Sequence, residues 1–513
     1  MTLPTWRFAT KAQAINMPKN VLLIVADDLG KYLGSYGCSS VTTPNLDNLA
    51  SEAVRFTHAF ACTPSCSGSR STMFTGLHTH ENGQYGLAWG PHGHFLTYDH
   101  VDSMPKLFND AGYLTGILGK VHVGPASVYP WAWRRESDSR DAGWLADQAE
   151  EFFEQAGEGP FHLTVAFHDP HRDVNSRAGF SNDWEYSPRV KSINVQQSDV
   201  EVPPWLTDCV ETRQEFVEYY KAIHRFDQGV GLVLSALEKA GLADSTLVMV
   251  TSDNGPPFIN SKTTLYEAGI NLPLILRQPN GPSGAVNPNM ISFIDLLPTM
   301  LDWAEIMVDN AAPVDIHLFK PSSAPRRGRS FLPILHSTEV LQESKWQGHI
   351  FGSHTFHEFQ NFWPTRVVRT RRFKYHRNIA WQLDFPFATD LYASISFEGI
   401  RNLAKPVMLG RRPFKNYIRR QAEELYDIEA DPLEVNNLAD DPEFADTLKD
   451  LRLKVEKWQQ DTRDLFLYRD GASVQALMRY KKDGLQLPDQ FDINPEDPST
   501  IGKELVYVDE KML

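Results

Sequence analysis

Two oxygen-bearing pairs, Asp27–Asp28 and Asp253–Asn254, each close an apolar run. Carboxylate and amide oxygens suit a hard cation, Ca²⁺ or Mg²⁺, rather than Zn²⁺. Asp is also common at such places simply because it opens turns. In CTPSCSGSRSTMFTG (62–76) Ser, Gly and a helical run read as a helix N-terminus. Amides there favour an anion and would acidify a cysteine; a small buried thiol is the plainer alternative. Lys120 and His122 stand two apart on extended chain, hence on one face. HDPHR supplies His168, Asp169, His171 and Arg172, and Lys262 follows the Asp253–Asn254 pair. A lone Lys or His is ordinarily a surface or core residue. Jointly these residues place cations and acid–base groups beside an oxygen metal site. Phosphoryl or sulfuryl transfer needs that combination: a Lewis acid, charge clamps and a proton donor.

Such chemistry requires elements that bring distant residues together. NVLLIVADD (20–28), FHLTVAFHDPH (161–171) and STLVMVTSDNG (245–255) are near-continuous apolar runs ending in polar residues. They predict strands buried on both faces, and open α/β sheets bind ligands beyond the carboxyl ends of strands. Phe216, Tyr220, Ile223, Val230, Leu234 and Leu237 recur at helical spacing, with Gly241 as a stop. The alternation predicts an α/β fold, a large mostly parallel sheet flanked by helices, over residues 1–359. Asp309–Gly328, rich in Pro, Ser and Arg, reads as a surface loop. A smaller C-terminal α+β domain is expected over 360–513. There RVVRTRRFKYHRN (366–378) alternates like one antiparallel strand, with RTRR (369–372) as a solvated face. Phe444, Leu448, Leu451, Val455 and Trp458 mark a helix, and the tail from about Asp470 reads as irregular. His78-x-His80 and His92-x-His94 lack a third ligand nearby and are not read as zinc sites.

Composition narrows the function classes. A chain of 513 residues exceeds a single core. Its formal charge of −15 is the wrong sign for a general nucleic-acid binder. Four cysteines, Cys38, Cys62, Cys66 and Cys209, exclude a disulfide scaffold. No run of about 18 apolar residues predicts a membrane span. The first twenty residues show no apolar h-region, so no signal peptide and a cytoplasmic location are expected.

VADDLG, CSGSR followed by TG, GKVH, HDPH and SDNG occur in the order and spacing of type I sulfatases, in the alkaline phosphatase-like superfamily. ELYDIEADPLEVNNLA (424–439) resembles the sulfatase C-terminal signature. QYGL, GKVHVGPASVYP, VAFHDPHR, DQGVGLVL, FGSHTFHEF and the FPF around Pro386 are most similar to the heparan N-sulfatase, or sulfamidase, subgroup. The resemblance implies hydrolysis of the N-sulfo group of N-sulfoglucosamine in heparan-type sugars. It implies that a maturation enzyme oxidises Cys66 to formylglycine, whose hydrate is the nucleophile. Cys62, which lacks the following arginine, is not the match. Ca²⁺ would be held by Asp27, Asp28, Asp253, Asn254 and the modified Cys66. Arg70 and Lys120 would hold the hydrate, His122 would assist sulfate release, and Lys262 and His171 would hold the sulfo group, His171 donating a proton to the leaving nitrogen. Asp169, Arg172, His357 and Glu358 resemble sugar-contacting positions. Gly68 stands where the motif usually has Pro or Ala. The family often forms homodimers. The alternatives are an O-sulfatase on sugar or aryl sulfates, a phosphoester or phosphonate hydrolase of the same superfamily, or a silent metal- and anion-binding protein with unmodified Cys66.

Overall fold

The structure, a computed structural model, describes residues 19–89, 93–173, 176–177, 179–308, 325–467 and 483–484. The apolar runs become strands because they can face water on neither side. Asn20–Ala26 (β1), Val54–Phe60 (β2), Leu114–Gly119 (β3), Trp133–Glu136 (β4), Phe161–Ala166 (β5), Thr246–Ser252 (β6), Asn271–Arg277 (β7) and Ala285–Ser292 (β8) form one sheet. Its order is β4-β3-β5-β1-β6-β7-β2-β8. The pairs are parallel except where β7 meets β6 and β2. Leu22, Ile24 and Ala26 of β1 enter one core with Phe216, Tyr219 and Ile223 of the helix Val210–Lys239. Val21, Leu23 and Val25 enter the opposite core with Met73, Phe74, Leu296 and Met300. This alternation, with helices on both faces, explains why β1 has no polar position after Asn20. Val210–Lys239 ends as its sequence predicts: Gly241 takes φ +71° and its N–H donates to Glu238 O.

Register decides where the chemistry goes. Ala26 lies opposite Ser252, Val25 opposite Ala166, and Ala166 opposite Gly119. The chain therefore leaves β3, β5, β1 and β6, four neighbours, at one edge.

A smaller antiparallel sheet follows, made of His349–His354 (β9), Thr365–Thr370 (β10), Phe373–Asn378 (β11) and Glu423–Asp427. Its first strand precedes residue 360. Leu448, Leu451 and Val455 of the helix Ala445–Asp461 cover Val368, Tyr375 and Leu425 on this sheet. Phe385, Phe397, Ile400 and Tyr417 instead join the core around Val210–Lys239, so the late residues also buttress the large sheet.

Two expectations are corrected. Residues 366–378 form a hairpin rather than one strand, with Arg369 paired to Lys374. The Thr370 hydroxyl closes the Arg371–Arg372 turn by accepting from Phe373 N–H and donating to Phe373 O (3.0 Å each). The RTRR stretch is not a solvated face throughout, because Arg369 is buried against Glu267 (3.0 Å). Among the described residues no helix is long and apolar enough to cross a membrane. Most of the 309–328 loop, nearly all of the tail and His92 lie outside the described residues.

Candidate active site

The loops after β1, β3, β5 and β6 converge. Asp27 and Asp28 follow β1, and Asp28 turns the chain in the left-handed region, φ +66°. Its N–H donates to Asp253 Oδ1 (3.1 Å), and Leu29 N–H donates to Ser252 Oγ (2.9 Å), tying the β1 and β6 exits together. Tyr219 donates to Asp28 O from the long helix (2.7 Å).

Cys66 opens the helix Cys66–Thr75, which is buried at every residue. Arg70, one turn on, reaches Asp253 Oδ2 with Nε and Nη2 (2.9 Å each) and Lys120 O with Nη1 (3.0 Å). The Lys120 ammonium pairs with Asp27. Lys262 Nζ donates to Asp28 Oδ2 (2.8 Å) and lies 3.0 Å from both His171 Nε2 and Asp390 Oδ2. His171 Nδ1 is 2.7 Å from Arg172 O. A ring nitrogen facing a carbonyl carries the proton, which leaves Nε2 as the atom where a proton can arrive or leave.

The electrostatics follow from packing this much charge away from water. Burial, and then the Asp27 carboxylate, push Asp253 up to about 7. Burial would raise Asp27 too, but Lys120 and His171 outweigh it and hold Asp27 well below the usual carboxylate range. Burial, then Lys120 and Arg70, hold His122 neutral, well below its ordinary value. Burial pushes the Cys66 thiol up, with Lys120 offsetting only in part. The acidification expected of a helix N-terminus is thus reversed, because the sulfur is dry and flanked by Asp27 and Asp253.

Asp27 Oδ1 and Asn254 Oδ1 are buried without a hydrogen-bond partner. One donor atom from each of Asp27, Asp28, Cys66 and His171 lies within 4.8 Å of the others. Buried oxygens without partners are costly unless a cation meets them. The oxygen-rich donors therefore fit an ion of the Ca²⁺ class.

The structure thus brings together Asp27, Asp28, Cys66, Arg70, Lys120, His122, His171, Asp253, Asn254 and Lys262. His357 joins them, its Nδ1 2.8 Å from Ser65 Oγ, and Glu358 accepts from Thr389 Oγ1 (2.6 Å). Asp169 and Arg172 are placed otherwise. Asp169 takes Arg140 (2.8 Å) and Arg225 (2.6 Å), and Arg172 forks onto Glu215 (2.6 and 2.8 Å). Their polar groups are engaged inside the protein, where they brace the loop carrying His171. Cys62 sits apart against Ser292 (3.2 Å), and burial pushes its thiol up to about 11. His78 and His80 stack in parallel, edge-on to Trp458, and no third ligand joins them among the described residues. Nothing in the sequence pattern singles out Asp390, which the one-turn helix Thr389–Tyr392 carries to Lys262. Its nearest signal is the FPF motif just ahead of it.

A sulfatase family model matches residues 19–306, which contain every converging residue except His357, Glu358 and Asp390. The chain belongs to the sulfatase family. It is accordingly an enzyme of the sulfuric ester hydrolase kind. It is 38% identical over 468 residues to N-sulphoglucosamine sulphohydrolase of Homo sapiens, covering 87% of this chain and 91% of that one. It is 27% identical to an ulvan-active sulfatase of Formosa agariphila, covering 89% and 82%. A protein solved in complex with its substrate D-glucosamine-2-N,6-O-disulfate superposes with a TM-score of 0.60 at 18% identity, over 87% of this chain and 98% of that one. That last likeness is one of fold.

Proposed function

We propose that this sulfatase removes the N-sulfo group from N-sulfoglucosamine at the end of heparan-type sugars. The reading is carried by the 38% identity to the human N-sulphoglucosamine sulphohydrolase along nearly the full length of both chains. In this reading the maturation enzyme oxidises Cys66 to formylglycine, whose hydrate supplies the attacking oxygen. Asp27, Asp28, Asp253, Asn254 and the modified Cys66 would hold Ca²⁺, which would supply Lewis acidity toward the sulfuryl oxygens.

The chain's own side chains do the rest. Arg70 and Lys120 form a cationic wall beside position 66 and orient the nucleophile; Arg70 is itself fixed by Asp253 and Lys120 O. Lys262 holds the sulfo group opposite, positioned by Asp28. His171, with Nδ1 committed to Arg172 O, moves a proton at Nε2 to the leaving nitrogen. His122, buried and neutral, accepts the proton released as sulfate departs. His357 and Glu358 meet the sugar, while Asp169 and Arg172 act by bracing the loop of His171.

An O-sulfatase is the second reading, favoured by the relationship to the ulvan-active sulfatase. Peptide mass spectrometry across Cys66 in protein from its native host tests the nucleophile. Turnover of N-sulfoglucosamine, a 6-O-sulfated glucosamine and an aryl sulfate then separates the two readings. Preference for the N-sulfo sugar is expected. Preference for an O-sulfo substrate selects the second reading, and an unmodified thiol overturns both.

A further inference from the structure

Asp390 has no part in the metal site or the nucleophile's cationic wall. Glu358 holds its one-turn helix in place through Thr389. Side-chain exposure rises from 1% at Lys262 through 17% at His171 to 23% at Asp390, so the carboxylate lies on the outward side of the sulfo clamp. Burial would raise its carboxyl, but Lys262 and then His171 outweigh it and keep it ionised. A negative charge beside an ammonium that holds an anion weakens that hold. Neighbouring carboxylates are already committed: Asp169 to Arg140 and Arg225, Glu215 to Arg172, and Glu358 to Thr389 and Gln360.

The chemistry of the leaving group supplies a reason for the charge. Hydrolysis consumes one water and breaks the S–N bond. The bonding pair stays on nitrogen, which takes up a proton and leaves as an amine, an ammonium near neutral pH. Breaking an S–O bond leaves a neutral alcohol or, from an aryl sulfate, a phenolate. Only the nitrogen leaving group gains positive charge, and fixed charge aimed at developing charge lowers the barrier.

We propose that Asp390 is a specificity-determining residue that favours nitrogen over oxygen leaving groups, by standing beside the leaving nitrogen next to His171 and Lys262. This rests on the reading of the protein as an N-sulfoglucosamine hydrolase. The test measures kcat/KM on N-sulfoglucosamine and on 4-nitrophenyl sulfate, with Cys66 modification quantified in each preparation. It compares the full chain with Asp390→Asn and Asp390→Glu. In Asp390→Asn the ratio of N-sulfo to O-sulfo turnover should fall about a hundredfold, and in Asp390→Glu, which keeps the charge, it should largely survive. Equal loss on both substrates in Asp390→Asn would overturn the inference and leave Asp390 only holding Lys262 in place. Should the Asn variant fail to fold, collapse of the ratio in Asp390→Glu would overturn it instead. An unsubstituted protein that cleaves the aryl sulfate but not N-sulfoglucosamine overturns the underlying functional reading, a result visible before any variant is made.

Discussion

Gly68 occupies the first turn of the helix that presents Cys66, where the sulfatase motif more often carries Pro or Ala. A Cβ placed on Gly68 would lie 2.7 Å from Thr63 Cγ2, 3.4 Å from Thr79 Cγ2 and 3.6 Å from Gln84 O. Carbon atoms prefer about 3.5–4.0 Å, so the Thr63 methyl would have to retreat by roughly an ångström. Thr63 is 3% exposed and stiff about χ1, so it cannot swing aside cheaply. Overpacking of this kind costs about 1–3 kcal/mol, and Gly→Ala in a helix returns up to about 1 kcal/mol. Gly68→Ala should therefore destabilise the protein by about 1–2 kcal/mol. Thr63→Ser removes the offending methyl, and on that background Gly68→Ala should be neutral or stabilising. Urea denaturation of the four proteins in the cycle reads the coupling, expected at about 1–2 kcal/mol. A stabilised Gly68→Ala single variant, or strict additivity, would refute the steric account.

Burial holds His80 down to about 4 and His78 well below its ordinary value, so both are neutral when folded. Unfolded histidines titrate near pH 6.5, so their contribution is full above that value and is lost as pH falls toward 4. His80→Gln should shallow that decline by up to about 1.4 kcal/mol per pH unit in denaturant titrations; an unchanged slope refutes the assignment. Asp464→Ala leaves Arg366, fully buried, without its carboxylate (Nη2 to Oδ1, 2.9 Å) and should cost about 3–5 kcal/mol in calorimetry or urea melts. A loss below about 1 kcal/mol, typical of surface pairs, would show that Arg366 finds another partner or water. Ca²⁺ at about a hundred times its dissociation constant should stabilise the protein by about 2.7 kcal/mol. Asp28→Ala should abolish that response, and an equal response in both proteins would place the ion elsewhere.

Much of this site was legible in the chain because each chemical residue adjoins its own structural signal. Asp27–Asp28, His168–His171 and Asp253–Asn254 sit at the ends of apolar runs whose burial on both faces is a local property. Cys66 and Arg70 share one helical turn, so their spacing alone puts them on one face. The hairpin at 366–378 escaped because alternation runs on unbroken through a two-residue turn that carries neither Gly nor Asn.

By itself, then, the sequence determined three central strands, β1, β5 and β6, the long helix and the types of group delivered to the sheet's edge, since hydrophobic period and neighbouring chemistry are short-range facts. Tertiary structure alone decided how those groups are used. Asp169 and Arg172 carry charge in sequence, but Arg140, Arg225 and Glu215 absorb it. Arg369 reads as solvated until Glu267 is packed against it. Asp390 meets Lys262 only when the late chain folds back over it. Each outcome depends on which opposite charge is buried within a few ångströms. That distance is set by packing elements far apart in the chain, so no local pattern records it.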